Sequence, residues 1–447
     1  MPASSGELRR ELGLFDAVMI NAGTMIGSGI FIVPGAIASG FLASGPSLLV
    51  WVVGGFVSIC GALCVAELGG AMPEAGGQFV YLQRAYGPLA GFLYGWGAFL
   101  VINTASIAAI AVGFASYLGV FLPLSPSEIK LVAVVSIVLL TLLNCLGVKV
   151  GAVTQNILTT LKIGALVAIP ALALVLSGGT LSNLAPLWPD DPSTVLMAFG
   201  PAMVAVLWTF DGWIESTYVG SEIKVPKRNL PLSIILSTAL IIVLYVIVNA
   251  AYLFILSPET VAGSDLVASD AMRVVLGAGG GLFIAAAILV ATLGANNGIV
   301  FTSARIPYAM AKDGLFFAWG ARVHQKFRTP VLTLLAQMLI ALALTMTGSY
   351  IQLATYVVFV SFLFYALSAA AVILLRFREP DLERPYRTWG YPITPLIFIA
   401  FSLYLVGDTI LQTPRESAIG VGILMAGVPA YLYWSRSQST CSPQEMS

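Results

Sequence analysis

The chain has 447 residues, of which 58% are hydrophobic and only 9% are charged, and its mean hydropathy is +0.94. This composition excludes a soluble globular domain and indicates a membrane protein with many crossings. The formal net charge is zero, so the total charge indicates no nucleic-acid partner.

A spanning helix needs roughly 20 mostly apolar residues, and about twelve such runs follow one another along the chain. We therefore predict an all-α, polytopic membrane protein that is embedded in the lipid bilayer. The predicted spans are residues 14–39, 46–71, 88–121, 130–147, 154–177, 195–222, 230–256, 277–306, 330–347, 351–375, 393–411 and 417–435.

Positive charges in the links between these spans are distributed unequally. Most lie on one side: Arg9, Arg10, Arg84, Lys149, Lys224, Lys227, Arg228, Arg305, Lys312, Arg322, Lys326, Arg328, Arg376, Arg378, Arg384, Arg387 and Arg436. The other side carries only Lys130, Arg273 and Arg415. The positive-inside rule then predicts a cell-membrane protein with cytoplasmic tails at residues 1–13 and 437–447. The start MPASSGELRREL lacks the pattern of a cleaved signal peptide.

Few residues of this chain are suited to catalysis or metal binding. Cys60, Cys64, Cys145 and Cys441 show neither metal-ligand nor disulfide spacing. His324 is the only histidine and lies in a basic link, which disfavours a zinc site or a Ser-His triad. We therefore expect no cofactor, no metal and no enzymatic activity.

The first span is interrupted by the stretch GTMIGSGIF, residues 23–31. Gly23 and Gly27 have the spacing of a helix-packing pair, so close helix contact is one interpretation. Gly29 is not needed for that purpose. The alternative is that the helix unwinds near Gly27 and restarts. The N–H groups of Ser28, Gly29 and Ile30 would then lie at a new helix N-terminus, where an anion is favoured.

The sixth span has a matching interruption, in which Asp211 and Gly212 divide an apolar run. Paired breaks of this kind are typical of secondary transporters built from two inverted repeats, with the substrate bound between the breaks. We predict helices 1–5 over residues 14–177 and helices 6–10 over residues 195–377, followed by helices 11 and 12 over residues 393–436.

Five blocks of sequence resemble the amino acid–polyamine–organocation superfamily, and within it the L-type amino acid transporters. The blocks are GTMIGSGIFIVP (23–34), AELGGAMPEAGGQFVYLQRAYGPLAGFLYGW (66–96), EIKVPKRNLPLSI (222–234), ANNGIVFTSARIPYAMAKDG (295–314) and ERPYRTWGYPITP (383–395). The resemblance implies a five-plus-five inverted repeat with two trailing helices.

The same resemblance implies a substrate site at the two breaks. The α-carboxylate of an amino acid would meet the amides of Ser28 and Gly29, and the α-ammonium would meet the carbonyls of Met25, Trp208 and Asp211. Trp208 would also close over the substrate. The glycines would permit close backbone approach and the φ values of an unwound segment. The full predicted set is Met25, Gly27, Ser28, Gly29, Ile30, Trp208, Thr209 and Asp211.

Lys162 is the cation that the spans place within the hydrocarbon region. Snorkelling to the surface is one interpretation. In sodium-independent relatives a lysine at a matching place occupies a sodium position and links helix 1 to helix 8, so Lys162 is predicted to take part in coupling and to be able to carry a proton. Tyr245 and Asn297 are further candidates that either line the site or satisfy buried backbone.

Four acidic residues lie in or near the spans. Glu67, Glu215 and Glu222 are predicted to pair with arginines of the links. Asp211 either recognises a cationic substrate side chain or bonds loose amides in the break, and the sequence does not decide between these roles.

We predict a sodium-independent exchanger of neutral L-amino acids that works by alternating access. Proton symport and transport of cationic amino acids or polyamines are alternatives, and a channel or receptor is a more distant one. The loop GVFLPLSPSE (119–128) has no cysteine, although eukaryotic members bind a heavy chain through one there. We therefore expect a monomer without a disulfide-linked partner.

Overall fold

The computed structural model describes residues 8–176, 178–347 and 350–440. Within these residues the protein is helical, and the β-type pairing found there is one isolated parallel bridge between Leu12 and Ile223. Cys441 and the outer parts of both predicted tails lie outside the described residues.

Eighteen α-helices follow one another in the described chain, and we number them in order. They are α1 (Leu14–Met25), α2 (Gly29–Phe41), α3 (Ser44–Ala71), α4 (Gln78–Tyr86), α5 (Pro88–Gly97), α6 (Asn103–Leu118), α7 (Pro126–Cys145), α8 (Val148–Val175), α9 (Pro192–Thr209), α10 (Pro226–Ile255), α11 (Pro258–Ala262), α12 (Val267–Leu276), α13 (Ala278–Ser303), α14 (Arg305–Lys312), α15 (Val331–Thr347), α16 (Tyr350–Arg378), α17 (Ile393–Gln412) and α18 (Pro414–Thr440).

The predicted spans correspond to helices of this structure. Ten helical segments in the described residues are long and apolar enough to cross a bilayer, and α1 and α2 form an eleventh span that is bent by 43°. A shorter apolar helix, Val331–Met346, lies at the ninth predicted span. The polytopic all-α architecture and the broken first helix are confirmed, while the division into two inverted repeats stays a prediction.

The interruption predicted at Asp211 and Gly212 of the sixth span is present, but the predicted continuation of the helix to residue 222 is wrong. Helix α9 ends at Thr209, and the chain then continues through turns and two short 3-10 segments, Glu215–Thr217 and Gly220–Glu222, until α10 begins. Gly212 has φ +116°, a conformation that no α-helix contains and that L-residues with a side chain rarely adopt. The apolar pattern therefore continues past a point where the backbone leaves the helix.

Helix α1 lies at the centre of the molecule, where it packs against α8, α10 and α13. Beside it, buried aromatic rings of α3, α10 and the start of the sixth-span turn form a cluster, in which Phe210 lies 5.1 Å from Tyr245 and 5.9 Å from Trp51 between ring centroids. Such ring pairs contribute beyond their buried area. The core thus holds α1 on three sides and leaves its broken end facing α9.

Candidate functional site

A cavity of about 130 Å³ lies where the break between α1 and α2 meets the end of α9. Helices α6, α13 and α16 complete its wall. The cavity is lined by Thr24, Met25, Gly27, Ser28, Gly29, Ile102, Asn103, Ser106, Ala109, Ile110, Trp208, Thr209, Asp211, Gly212, Glu215, Tyr218, Ala295, Ile299 and Tyr365. Seven of the eight residues predicted to bind substrate are among them, and Ile30 is not.

The start of α2 presents backbone donors to this cavity. Within the described chain, the N–H groups of Ser28, Gly29 and Ile30 have no hydrogen-bond acceptor, and Ser28 caps the helix without a side-chain bond. The first N–H groups of a helix carry partial positive charge and attract anions. Ser28 and Gly29 line the cavity, so their two donors can bind a carboxylate there.

The glycines of the first break differ from one another in their roles, and helix packing, one of the two interpretations of the Gly23 and Gly27 pair, applies to Gly23. Gly23, Gly27 and Gly29 do not have positive φ, so the expectation that they permit special φ values is wrong. A Cβ at Gly23 would clash with Gln155 and Thr159, whereas a Cβ at Gly27 would meet nothing within 4 Å. Gly23 therefore allows helix packing, and Gly27 leaves the cavity space open.

The two breaks are held against each other by close backbone contact. A Cβ at Gly212 would lie 2.9 Å from the backbone nitrogen of Met25, so only glycine fits there. The buried amide of Asn21 donates to the Ser216 hydroxyl at 3.0 Å and accepts from the Ser216 N–H at 2.7 Å. This pair fixes the irregular sixth segment to α1.

Two of the three carbonyls predicted to receive the ammonium already accept hydrogen bonds. The Met25 oxygen accepts from the Tyr245 hydroxyl at 2.8 Å and from the Gly27 N–H at 3.0 Å. The Trp208 oxygen accepts from the N–H groups of Phe210 and Asp211. A carbonyl oxygen has two lone pairs, and those of Met25 and Trp208 are both in use. The backbone carbonyl of Asp211 is therefore the predicted one best able to accept from an ammonium.

Asp211 uses one carboxylate oxygen within the protein. Its Oδ1 accepts from the Gly212 N–H at 2.9 Å and from the Tyr365 hydroxyl at 2.8 Å, while Oδ2 has no partner among the described residues. The carboxylate thus bonds a loose amide, which is one of its two predicted roles, and keeps an oxygen for a ligand. Recognition of a cationic substrate side chain stays a prediction.

Lys162 is buried rather than snorkelling, with 1% of its side chain surface exposed. Its Nζ donates to the carbonyl of Gly23 at 2.6 Å and to that of Ile26 at 3.0 Å. These carbonyls lie at the C-terminal end of α1, where a positive charge is favoured. On its other side the lysine packs against Gly294 of α13. Lys162, on α8, therefore lies between α1 and α13, which are the first and eighth predicted spans, bonded to α1 and in contact with α13.

Tyr245 and Asn297 do not line the cavity. Tyr245 satisfies the Met25 carbonyl from α10. Asn297 lies behind the site in a polar chain, in which it accepts from Asn144 at 2.9 Å and donates to Gln155 at 2.8 Å. For both residues the structural interpretation, satisfying buried groups, accounts for the observed contacts.

The prediction for the three glutamates holds for two of them. Glu222 pairs with Arg305 at 2.7 Å, with both side chains fully buried, and Glu67 pairs with Arg376 at 2.6 Å. For Glu215 the prediction is wrong. It accepts from the Thr302 hydroxyl and lines the cavity. Because α9 ends at Thr209, Glu215 lies beside the cavity and not at the end of a spanning helix.

Sequence reasoning missed several residues of the cavity wall, among them Asn103, Glu215 and Tyr365. Asn103 and Tyr365 are polar residues in the middle of apolar runs, and a polar residue within a membrane span is a candidate for a functional site. Within the described chain no group of three or more His, Cys, Asp or Glu residues could hold a metal ion.

Comparison with known proteins identifies the family. The amino acid permease family model matches residues 12–432. The human large neutral amino acids transporter small subunit 2 is 34% identical over 441 residues, which cover 96% of this chain and 81% of the relative. The serine/threonine exchanger SteT of Bacillus subtilis is 31% identical, covering 96% and 98%, and the mouse b(0,+)-type amino acid transporter 1 is 32% identical, covering 95% and 88%.

These relatives are transporters, and they match almost the whole chain rather than one segment. The prediction of a transporter, and not an enzyme, is thereby confirmed. The chain belongs to the amino acid permease family of the amino acid–polyamine–organocation superfamily, and within it to the L-type amino acid transporters.

Proposed function

We propose that this protein exchanges one amino acid for another across the cell membrane. The observation that carries the proposal is the pair of unbonded amides of Ser28 and Gly29 at the start of α2, which lie at a cavity of about 130 Å³ together with Asp211. The amides suit the carboxylate of an amino acid, and Asp211 suits its ammonium. The names of the relatives, which include an exchanger, support the same function.

The proposed exchange does not depend on sodium. The ammonium of Lys162 lies at the carbonyl end of α1 and donates to two of its carbonyls, so a fixed positive charge already neutralises this negative helix end. A sodium ion would bring the same charge to the same oxygens. With Lys162 present, no ion is required there.

The finer features of the proposal follow the sequence. Both tails are assigned to the cytoplasm because of the asymmetry of Lys and Arg. The two breaks lie, in this proposal, in equivalent helices of two inverted repeats. The transporter is proposed to be a monomer without a disulfide-linked heavy chain.

A second candidate function is proton-coupled uptake of amino acids. It is favoured by the two carboxylates, Asp211 and Glu215, that line one cavity, since a buried carboxylate can take up and release a proton.

Purified protein in liposomes distinguishes the two functions. Exchange predicts that labelled amino acid accumulates when the lumen holds unlabelled amino acid, and far less in empty liposomes. Strong uptake into empty liposomes under a pH gradient would instead select proton coupling.

A further inference from the structure

The chain before α1 is paired with the chain before α10. The Glu11 N–H donates to the Glu222 carbonyl at 2.9 Å, and the Lys224 N–H donates to the Leu12 carbonyl at 2.8 Å. The Leu12 side chain is buried in the hydrophobic core. This bridge therefore fixes residues 8–13 against the end of the sixth segment, and it brings the cations on either side of it together.

Four exposed cations flank the bridge: Arg9, Arg10, Lys224 and Arg228. Within the described residues none of these four side chains has a salt-bridge partner, whereas Lys227 in the same stretch pairs with Glu383. The positive-inside rule accounts for cations on this side of the membrane. It does not require a backbone bridge that gathers four of them at one place.

The carboxylates near these cations do not neutralise them. Glu222 is bonded to the buried Arg305 through both of its carboxylate oxygens. Asp16 accepts from a backbone N–H and from the Asn156 amide, both at 2.7 Å. Glu11 lies beside the bridge and is half-buried. Four cations thus lie near one carboxylate that is not already bonded, and this surface carries an excess of positive charge.

An exposed apolar surface begins next to these cations. Phe15, in the first turn of α1, is 59% exposed, and Val225, which precedes α10, is 65% exposed. Along α10, exposed apolar side chains recur every three or four residues, which places them on one face of the helix: Leu236, Leu240, Val243 and Ile247. Val225 precedes Leu236 by about three helical turns, so it lies near the same face. The cations therefore lie where a surface suited to acyl chains ends.

We propose that Arg9, Arg10, Lys224 and Arg228 bind the phosphate headgroup of anionic phospholipids, whose acyl chains lie along the exposed face of α10. Guanidinium and ammonium groups form charge-assisted hydrogen bonds with phosphate oxygens, and clusters of Lys and Arg at the cytoplasmic end of a span are typical of sites for acidic lipids. The inference rests on the proposed function for the choice of leaflet, because the tails are assigned there to the cytoplasm.

Binding of phosphatidylglycerol to the full chain in neutral detergent tests the site, with bound lipid measured by native mass spectrometry. Phosphatidylcholine with the same acyl chains is the reference, since its headgroup carries no net charge. The parent protein should bind phosphatidylglycerol at lower concentrations than phosphatidylcholine. Each Lys or Arg near an anionic headgroup contributes about fivefold in affinity, so removal of two should weaken binding of phosphatidylglycerol about thirtyfold.

Two double variants remove the charges in complementary pairs. Arg10→Gln with Arg228→Gln takes one cation from each side of the bridge, and Arg9→Gln with Lys224→Gln takes the other two. Both should lose affinity for phosphatidylglycerol and keep that for phosphatidylcholine. Because all four side chains are exposed, the thermal midpoint without added lipid should stay at the parent value, which shows that the variants are folded.

Arg322→Gln with Lys326→Gln is the matched control, because it removes two exposed cations from the link before α15; it should keep the parent affinity. Equal binding of the two lipids by the parent would overturn the site, and so would an equal loss in the control, which would show a diffuse attraction only. Displacement of the lipid by inorganic phosphate at comparable concentrations would overturn it in favour of a soluble anion. Stronger binding of polyglutamate would overturn it in favour of an acidic protein segment.

Amino acid exchange in phosphatidylcholine liposomes, measured on the same proteins, separates this site from the proposed function. Preferential binding of phosphatidylglycerol without exchange of any amino acid would overturn the proposed function and leave the lipid site standing. Exchange without any preference for phosphatidylglycerol would overturn the lipid site and leave the exchanger standing.

Discussion

Replacing Lys162 by methionine removes the ammonium while keeping a side chain of similar length. In the structure this ammonium makes two hydrogen bonds to α1, at 2.6 and 3.0 Å, from a side chain that is 1% exposed. The substitution therefore leaves the carbonyls of Gly23 and Ile26 without their donor and leaves the amides of Ser28 and Gly29 untouched.

The expected size of the effect follows from opposing terms. A hydrogen bond to a charged group contributes about 1.5–3 kcal/mol, so the two together represent about 3–6 kcal/mol. Burial of the ammonium costs several kcal/mol, and the substitution removes that cost. We therefore expect the free energy of unfolding to fall by only about 0–3 kcal/mol.

Transport should suffer more than stability. The ammonium bonds the end of α1 next to the amides of Ser28 and Gly29, and we expect that a loosened end raises the barrier to the conformational step. We expect turnover to fall at least about tenfold, equivalent to about 1.4 kcal/mol in the barrier. Substrate affinity should change less than about threefold, because the carboxylate donors remain; this corresponds to about 0.6 kcal/mol.

The assay is exchange of labelled amino acid in preloaded liposomes, in sodium, potassium or choline chloride outside, with binding measured on the same protein in detergent. Lys149→Met is the control, since Lys149 lies on the same helix but is exposed; it should behave as the parent. A strict sodium requirement of the parent, or parent-like turnover of Lys162→Met, would refute the reasoning.

Three further substitutions test other contacts. Asp211→Asn keeps the shape of the side chain and removes its charge. Lysine and arginine should then compete for uptake more weakly than before, and their loss should exceed that of alanine, serine and leucine. Equal loss for every class would exclude recognition of a charged substrate side chain by Asp211. Gly29→Val should reduce uptake at least about tenfold while the protein stays monodisperse in detergent, because a new Cβ would lie 3.0 Å from the Thr209 side chain and the added methyl groups would crowd the wall of the cavity. Near-normal affinity in liposomes would contradict a substrate site at this helix break. Arg305→Met leaves the fully buried Glu222 unpaired, which should lower the free energy of unfolding by about 3–5 kcal/mol and lower the thermal midpoint in detergent. Adding Glu222→Gln should restore most of the lost stability. An unchanged midpoint in the single variant would show that the pair does not stabilise the fold.

Local sequence was enough for the helices and for the position of the first break. Apolar runs of spanning length have one stable outcome in a bilayer, because every backbone group must be bonded within the segment. The glycines near Gly27 and the charged residue Asp211 also located both interruptions, since neither residue type is favoured within an apolar helix.

Tertiary structure decided which polar groups meet. Gly23 proved to be a packing residue only because Gln155 of α8 lies against it, and the carbonyl of Met25 is occupied only because α10 brings Tyr245 to it. Contacts of this kind join residues far apart in the chain, and no local pattern encodes them.

The early end of α9 shows the same limit most clearly. Hydropathy extends the sixth span to residue 222, but the backbone leaves the helix after Thr209, where Gly212 must pass within van der Waals contact of α1. Glu215, predicted to pair with an arginine at the end of a helix, therefore lies in the cavity wall. The sequence by itself determined that this chain spans the membrane and where its helices break. The packing of α1 against the sixth segment decided which side chains line the cavity, because only that packing fixes the direction of an irregular backbone.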